Sequence, residues 1–467
     1  MRRRRQTLSS GISKSKPTCA VIVLTFFLFA SCGRKPVNAP TTSEASLSEE
    51  VAATADEASR EEPSVRVDED DCPWWMASRS KPSAGGIRFF AAAASVNAPN
   101  WSAHIPGRGY STPIVVKESV FVTTADETAE RQSVMCFDRA SGKQLWSTMV
   151  LQAGFPKPNE VHKDSSHASP TLAADETRLY AVFLNANRIV ATALDFDGKI
   201  LWQRPAGSFR PYMGYASSPA IVGRRLIISG DDADGGFISA VDRSTGDVIW
   251  RKTRPKGASH GSPTVMQLRG DHQIVLTGVN TTIGYSPRDG SELWQCEGPA
   301  ETTVATGVTD GERVFVSGGY SQQGVICATT SRSNDGWEAS IAWNDKSKVY
   351  VPSLLLTQAG LLGIADNGIA NLWSTEDGKS LQRLRLGGDF YTSPVQLGDF
   401  IYVASRAGDL HVLKLDGRRL VEASVRHFDG EIMATPVISN RELLLRVAEA
   451  RQGQRQEVLY SFSGQKP

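Results

Sequence analysis

From residue 100 onward the apolar residues fall in short β-rich runs, each broken by Gly, Asp, Ser or Asn, which predicts strands and turns rather than helices. One unit recurs. A small residue stands before a proline, two short β-rich runs and a third strand follow, and the unit closes on Asp-x-x-x-Gly-x-x-x-Trp or a decayed version of it. The proline-type positions are Pro113, Pro170, Pro219, Pro263, Gly307, Pro352, Pro394 and Pro436; their intervals begin at 57 and 49 residues and settle to 42–45. A period in the forties with four strands per unit describes a propeller blade. Eight starts therefore predict an all-β, eight-bladed β-propeller with four-stranded blades over residues 100–467.

The closing motif reads FDRASGKQLW ending at Trp146, LDFDGKILW at Trp202, VDRSTGDVIW at Trp250 and SPRDGSELW at Trp294. It is weaker as SRSNDGWE near Trp337, STEDGKSLQRL near Leu381 and LDGRRLVEA near Leu420. Asp or Ser caps the turn, Gly supplies φ > 0, and the aromatic on the outer strand packs between blades. This repeat resembles that of the pyrroloquinoline-quinone-like (PQQ-like) propeller family over about four fifths of the chain. The last repeat stops at EVLYSF (457–462) before a fourth strand, whereas PNWSAHI (99–105) carries an unpartnered Trp101. The Trp101 strand is therefore expected to complete the last blade and close the ring, removing exposed sheet edges.

Residues 1–31 read as an export signal: Arg2–Arg5 form a basic n-region and residues 19–31 an apolar stretch shorter than the ~20 residues needed to span a bilayer. Leu28-Phe29-Ala30-Ser31-Cys32 resembles a bacterial lipobox, which implies diacylation of Cys32 and a membrane-anchored lipoprotein facing the periplasm. An ordinary signal peptide cut nearby is the alternative, since Phe29 departs from the preferred aliphatic. Gly33 leans toward the outer membrane. Residues 32–71, with SEEVAATADEASREE and VDEDD, have nothing to bury and read as a disordered tether. Residues 72–99 read as a strap, with Pro73-Trp74-Trp75-Met76 packing on the propeller. Cys72, Cys136, Cys296 and Cys327 allow three disulfide pairings that sequence does not choose among. Cys136 and Cys327 fall at strand positions, so buried unpaired thiols are the simpler expectation.

Charge is nearly balanced, 51 basic against 50 acidic residues, which gives no electrostatic reason to expect nucleic acid. The family resemblance raises two function classes. PQQ-dependent dehydrogenases carry a vicinal disulfide and an Asp base beside a bound calcium; this chain has no Cys-Cys pair, no matching Asp region and no Cys-x-x-Cys-His haem site. No catalytic residue carries over and no cofactor is expected, with PQQ the alternative. The chain is more similar to BamB-type outer-membrane assembly lipoproteins. That resemblance implies a non-catalytic binding or scaffold lipoprotein of the envelope, docking a protein or small ligand, with no contact residues transferred.

Three residues before each proline-type position the chain approaches the mouth of the central channel. Tyr110, His167, His260 and Tyr391 occupy such positions, Tyr215 sits one residue earlier in its blade, and the connections 147–167 and 203–215 open on the same face. Arg210, Tyr212 and Lys163 lie on those connections. Tyr110, His167, Arg210, Tyr215, His260 and Tyr391 are thus the candidate binding residues, where aromatic and imidazole groups give stacking and oriented hydrogen bonds; residues that merely plug a narrow channel are the competing reading. A His167–His260 metal site lacks a third ligand. GDDADGG (230–236) loosely resembles a calcium loop but lacks its bidentate Glu, so a solvated hairpin is expected and no metal.

Overall fold

The computed structural model describes residues 98–464, Asp68, Asp71–Met76 and the backbone of Ser80–Lys81; the expected signal peptide, Cys32 and nearly all of the tether lie outside the described residues. The eight units form eight four-stranded antiparallel blades in a ring, as the repeat predicts, with Ser80–Lys81 and Gly430–Glu431 added to the sheets of blades 7 and 8. Blade 1 comprises Ile114–Val116, Ser119–Asp126, Arg131–Asp138 and Gln144–Gln152. Blades 2 to 7 repeat this meander over 173–208, 220–253, 264–297, 308–345, 355–385 and 395–427. Blade 8 takes three strands from 437–463 and its outermost from Trp101–Ile105, which pairs antiparallel with Gln454–Ser463, Trp101 opposite Ser461. Each innermost strand begins one to three residues beyond its proline-type position. The buried core is not central: it lies in wedges between successive blades, such as Tyr180, Ala191 and Trp202 against Ile221, Leu226 and Ile228 between blades 2 and 3.

The closing motif owes its spacing to contacts between neighbours. Trp101, Trp146, Trp202, Trp250 and Trp343 each donate their indole N–H to a backbone carbonyl in the next blade's outer turn, at Arg139, Phe196, Arg243, Pro287 and Thr375 respectively, over 2.8–3.1 Å. The glycine of that turn lies under the indole. Gly142 has φ +70°, and a Cβ there would come within 2.4 Å of the Trp101 ring, so both the backbone conformation and the close approach exclude a side chain. In blade 5 the packing aromatic is Trp343, not the Trp337 of the decayed motif, because the outer hairpin is lengthened to Gly324–Ser333 and Gly336–Asp345. In blade 6 Gln382 stands at the tryptophan position and exchanges two hydrogen bonds with the Leu420 backbone.

Around the channel a second set of contacts joins the blades. The backbone N–H groups of Thr112, Thr171 and Ser218 donate to the hydroxyls of Thr171, Ser218 and Ser262 in turn, at 2.9–3.1 Å. Thr306, Ser353 and Ser393 continue the pattern to Ser353, Ser393 and Thr435, at 2.9–3.0 Å. At six seams a small hydroxylated residue beside the proline thus satisfies a buried N–H of the preceding blade.

The seam between blades 8 and 1 carries additional ties. Arg446 of blade 8 is bound to Glu457 at 3.0 Å and donates to Ser111 Oγ and the Thr123 carbonyl of blade 1. The described part of the strap crosses the same seam. Cys72 pairs with Val115 of blade 1 and its thiol donates to the Ile438 carbonyl of blade 8. Pro73 O accepts the Ala174 N–H of blade 2, and Ser80–Lys81 runs parallel to Gln396–Leu397 of blade 7. Cys136, Cys296 and Cys327 are free thiols, and burial raises the Cys136 thiol to about 11.

Candidate functional site

The channel holds a cavity of about 410 Å³. Its lower tier is the hydroxyl ring. Its next tier consists of the residue two positions before each ring hydroxyl, because side chains two apart on an extended strand share a face. Those residues are Tyr110, Ser169, Ala216 and His260 in blades 1 to 4, and Val304, Val351, Tyr391 and Met433 in blades 5 to 8; all line the cavity. The floor is Trp75 of the strap, whose indole donates to Thr306 Oγ1 at 2.9 Å. The strap pairs beyond the prolines, toward the ends of the innermost strands, while the long connections line the opposite end. The channel is thus a blind pocket open on the loop face.

The proline-based register locates three of the six candidates. Tyr110, His260 and Tyr391 face the pocket. In blades 2 and 6 the ring hydroxyls are Thr171 and Ser353, one residue after the proline instead of one before, so the lining register shifts by two. His167 consequently leaves the channel and stacks on Phe155, ring centroids 4.1 Å apart. Tyr215 is buried outside it, edge-on to Phe209, with its hydroxyl donating to the Ser229 carbonyl. Arg210 pairs with Asp234 at 3.1 Å away from the pocket. Lys163 contributes its carbonyl to Arg108. The loop after blade 1 delivers His162 and Asp164, and that after blade 2 delivers Tyr212 and Met213. Tyr320 and Tyr350 are not among the sequence-derived candidates, although Tyr350 has a signal, standing two residues before Pro352; Trp75 is expected from the sequence to pack on the propeller, but not to enter the channel.

The mouth has two unlike halves. Over blades 7, 8 and 1 it is ionic and internally satisfied. Asp164 reaches across to Arg406 of blade 7 at 2.6 Å, Arg406 to Glu431 at 2.7 Å, and Glu431 to Arg455 at 2.6 Å. Tyr391 donates to Asp164, and the Tyr110 hydroxyl accepts from Arg108. Burial works against the Glu431 charge, but hydrogen bonds from Arg455 and Arg406 outweigh it and hold its carboxyl below the usual range. Over blades 3 to 6 the mouth is neutral and aromatic. Burial, reinforced by His162, pushes His260 down to about 4, so the imidazole is uncharged at neutral pH. Burial raises Tyr350 to about 12, with Asp366, Tyr320 and Tyr212 adding to it.

This lining does not fit PQQ, a tricarboxylate. Among the described residues no lysine or arginine lines the pocket, and its Asp164 carboxylate is already paired; anionic groups there would lose water without gaining a cation. Among the described residues no group of three or more His, Cys, Asp or Glu side chains is placed to hold a metal ion. The calcium-like loop explains itself internally: Asp231 binds Arg254 at 2.7 Å, and Asp232 accepts the backbone N–H groups of Arg210, Asp234 and Gly235.

Comparison with known proteins gives a consistent picture. The family described as outer membrane protein assembly factor BamB matches residues 130–383. The chain is 24% identical over 339 residues to the BamB of Bordetella pertussis, covering 63% of this chain and 81% of that one. It is also 24% identical over 172 residues to the 1-butanol dehydrogenase (quinone) of Thauera butanivorans, covering 34% of this chain but 26% of that enzyme. Among solved structures, BamB from Moraxella catarrhalis superposes with a TM-score of 0.55 at 14% identity, over 78% of this chain and 96% of that one. Quinohemoprotein alcohol dehydrogenase from Comamonas testosteroni superposes with a TM-score of 0.60 at 12% identity, over 88% and 84%. At such identities the structural likeness establishes the propeller alone.

Proposed function

The chain belongs to the repeat family described as outer membrane protein assembly factor BamB, and from that premise we propose that it is a non-catalytic docking lipoprotein of the bacterial envelope. On this reading Cys32 carries the lipid, residues 32–71 span from membrane to propeller, and the loop-face pocket receives a protein segment or a small ligand. The observation that carries it is the blind pocket itself: a strap-stoppered channel whose open end gathers the two long connections and an aromatic wall. Insertions gathered on one face of a repeat ring commonly mark its binding face. Tyr110, His260 and Tyr391 remain the sequence-derived residues of this site, joined by Tyr212, Tyr320 and Tyr350. His167, Arg210 and Tyr215 are left out of it by their position.

A dehydrogenase reading is favoured by the partial likeness to the quinone-dependent butanol dehydrogenase and opposed by a pocket lining that offers no cation, among the described residues, to the carboxylates of PQQ. Titrating the full chain in detergent with PQQ and calcium, followed by dye reduction over a panel of alcohols and sugars, separates the two. The docking reading expects no saturable heat and no dye reduction. Stoichiometric PQQ binding with substrate-dependent turnover would replace it.

A further inference from the structure

The polar groups on the aromatic half of the mouth are not consumed by the fold. Among the described residues the His260 imidazole makes no hydrogen bond with another group; its backbone N–H alone is engaged, by the Thr303 carbonyl. The hydroxyls of Tyr212, Tyr320 and Tyr350 likewise have no hydrogen-bond partner in the protein among the described residues, although their neighbours across the mouth, Tyr110 and Tyr391, both do. Tyr212 and Tyr320 are well exposed large aromatics, at 54% and 65%. Such rings held at a concave site are surfaces awaiting a partner.

We infer that the pocket takes an uncharged, planar aromatic group bearing a hydrogen-bonding edge, carried either by a small molecule or by a peptide side chain. The inference rests on the docking reading and specifies what is docked. Charge decides first. The nearby ions are matched with each other, Asp164 with Arg406, Glu431 with Arg455 and Lys348 with Asp366 at 3.2 Å. A charged ligand would be desolvated with no counter-ion to meet it. Polarity decides next. Among the described residues no Asn, Gln, Glu, Lys or Arg side chain lines the cavity, and its one carboxylate, Asp164, is already held by Arg406 and Tyr391, so no free bidentate group is left to hold the paired hydroxyls of a sugar. What the wall does offer is ring faces, two methionine thioethers (Met213, Met433), and the single donors and acceptors of tyrosine and neutral histidine, above the Ser and Thr hydroxyls of the lower tier, most of which already accept a neighbouring backbone N–H. These suit an aromatic ring stacked between side chains with a phenol, amide or indole N–H at its edge. A volume of about 410 Å³ admits such a group above Trp75.

Three probes test this on the full chain in detergent, by calorimetric titration at pH 7. 4-Hydroxybenzamide is the neutral ring, 4-hydroxybenzoate its charged twin, and N-acetyl-tryptophanamide stands for a peptide side chain. At least one neutral probe is expected to bind saturably, with 4-hydroxybenzoate about tenfold weaker than 4-hydroxybenzamide or absent. Tyr350→Phe, which keeps the ring, and His260→Ala should each weaken the neutral probe by about fivefold, the value of one hydrogen bond. Preference for 4-hydroxybenzamide identifies a small-molecule source, and preference for N-acetyl-tryptophanamide a side-chain source. Equal or tighter binding of the benzoate overturns the inference, as does binding indifferent to both variants. If no probe binds while a partner still crosslinks from the mouth, the aromatic class alone falls; if crosslinking fails too, the docking reading falls with it.

Discussion

Glu457→Ala is expected to lower the stability of the propeller by about 3–5 kcal/mol, seen as a fall in the urea midpoint with little change in slope. The reason lies at the seam. Arg446 and Glu457 are 1% and 2% exposed and face each other from adjacent strands of blade 8. Burial lowers the Arg446 pKa, and Glu457 opposes that loss of charge. Without Glu457 the guanidinium keeps neutral acceptors only, Ser111 Oγ and the Thr123 carbonyl, and Arg455 adds repulsion. The same contacts hold blade 8 on blade 1, so the loss falls where the ring closes. Replacing both members by apolar residues, Arg446→Met with Glu457→Leu, is expected to recover much of the loss, because the penalty belongs to the orphaned charge rather than to the missing attraction. The exposed Arg210–Asp234 pair, at 69% and 67%, is the contrast: Arg210→Ala should change stability by less than about 1 kcal/mol.

Acidification is the second large effect. In the unfolded chain His260 takes up its proton near pH 6.5; in the fold, burial beside His162 delays this to about 4. Above pH 6.5 both states hold a neutral imidazole and stability is at its full value. Between pH 6.5 and 4 the unfolded chain binds the proton and the folded one does not, so stability falls as pH falls, by up to ~1.4 kcal/mol per pH unit and roughly 3 kcal/mol in all. His167, lowered mainly by burial, acts in the same direction. Urea midpoints at pH 7 and pH 4.5 check this. The wild-type chain should lose more than His260→Gln, and the difference between the two isolates His260 from the carboxylates. Identical losses in both would show that His260 is not held neutral in the fold.

The architecture was readable because its repeat is enforced by contacts that recur. Five outer tryptophans pack on a glycine turn of the next blade, as Trp101 does on Gly142 and Trp202 on Gly246, whereas Trp294 bonds Gln273 within its own blade. At six seams the innermost strand presents a small hydroxyl that receives its neighbour's N–H. Those constraints leave a period in the sequence. The site was readable only in part because the period does not fix register to one residue. The hydroxyl may stand on either side of the proline without harm to the ring, and in blades 2 and 6 it follows it, as Thr171 and Ser353 do. That shift displaces His167. Trp75 and Tyr320 left no periodic trace at all: Trp75 meets Thr306, 231 residues away, and Tyr320 sits in a loop between two strands of blade 5. Arg210 is a candidate binding residue because its connection opens on the pocket face, whereas the Asp-rich turn beside it in space provides its partner.

The most direct test of the docking reading is site-specific photocrosslinking in intact envelopes, with the photoreactive residue placed at Tyr320 on the mouth and, separately, at Leu201, an exposed outer-strand position 43% accessible on blade 2. A discrete adduct from Tyr320 that is lost on Tyr212→Ala with Tyr350→Ala, and absent from Leu201, is the predicted result. Adducts from Leu201 with none from Tyr320 would place docking on the rim of the propeller and contradict the assignment of the channel mouth.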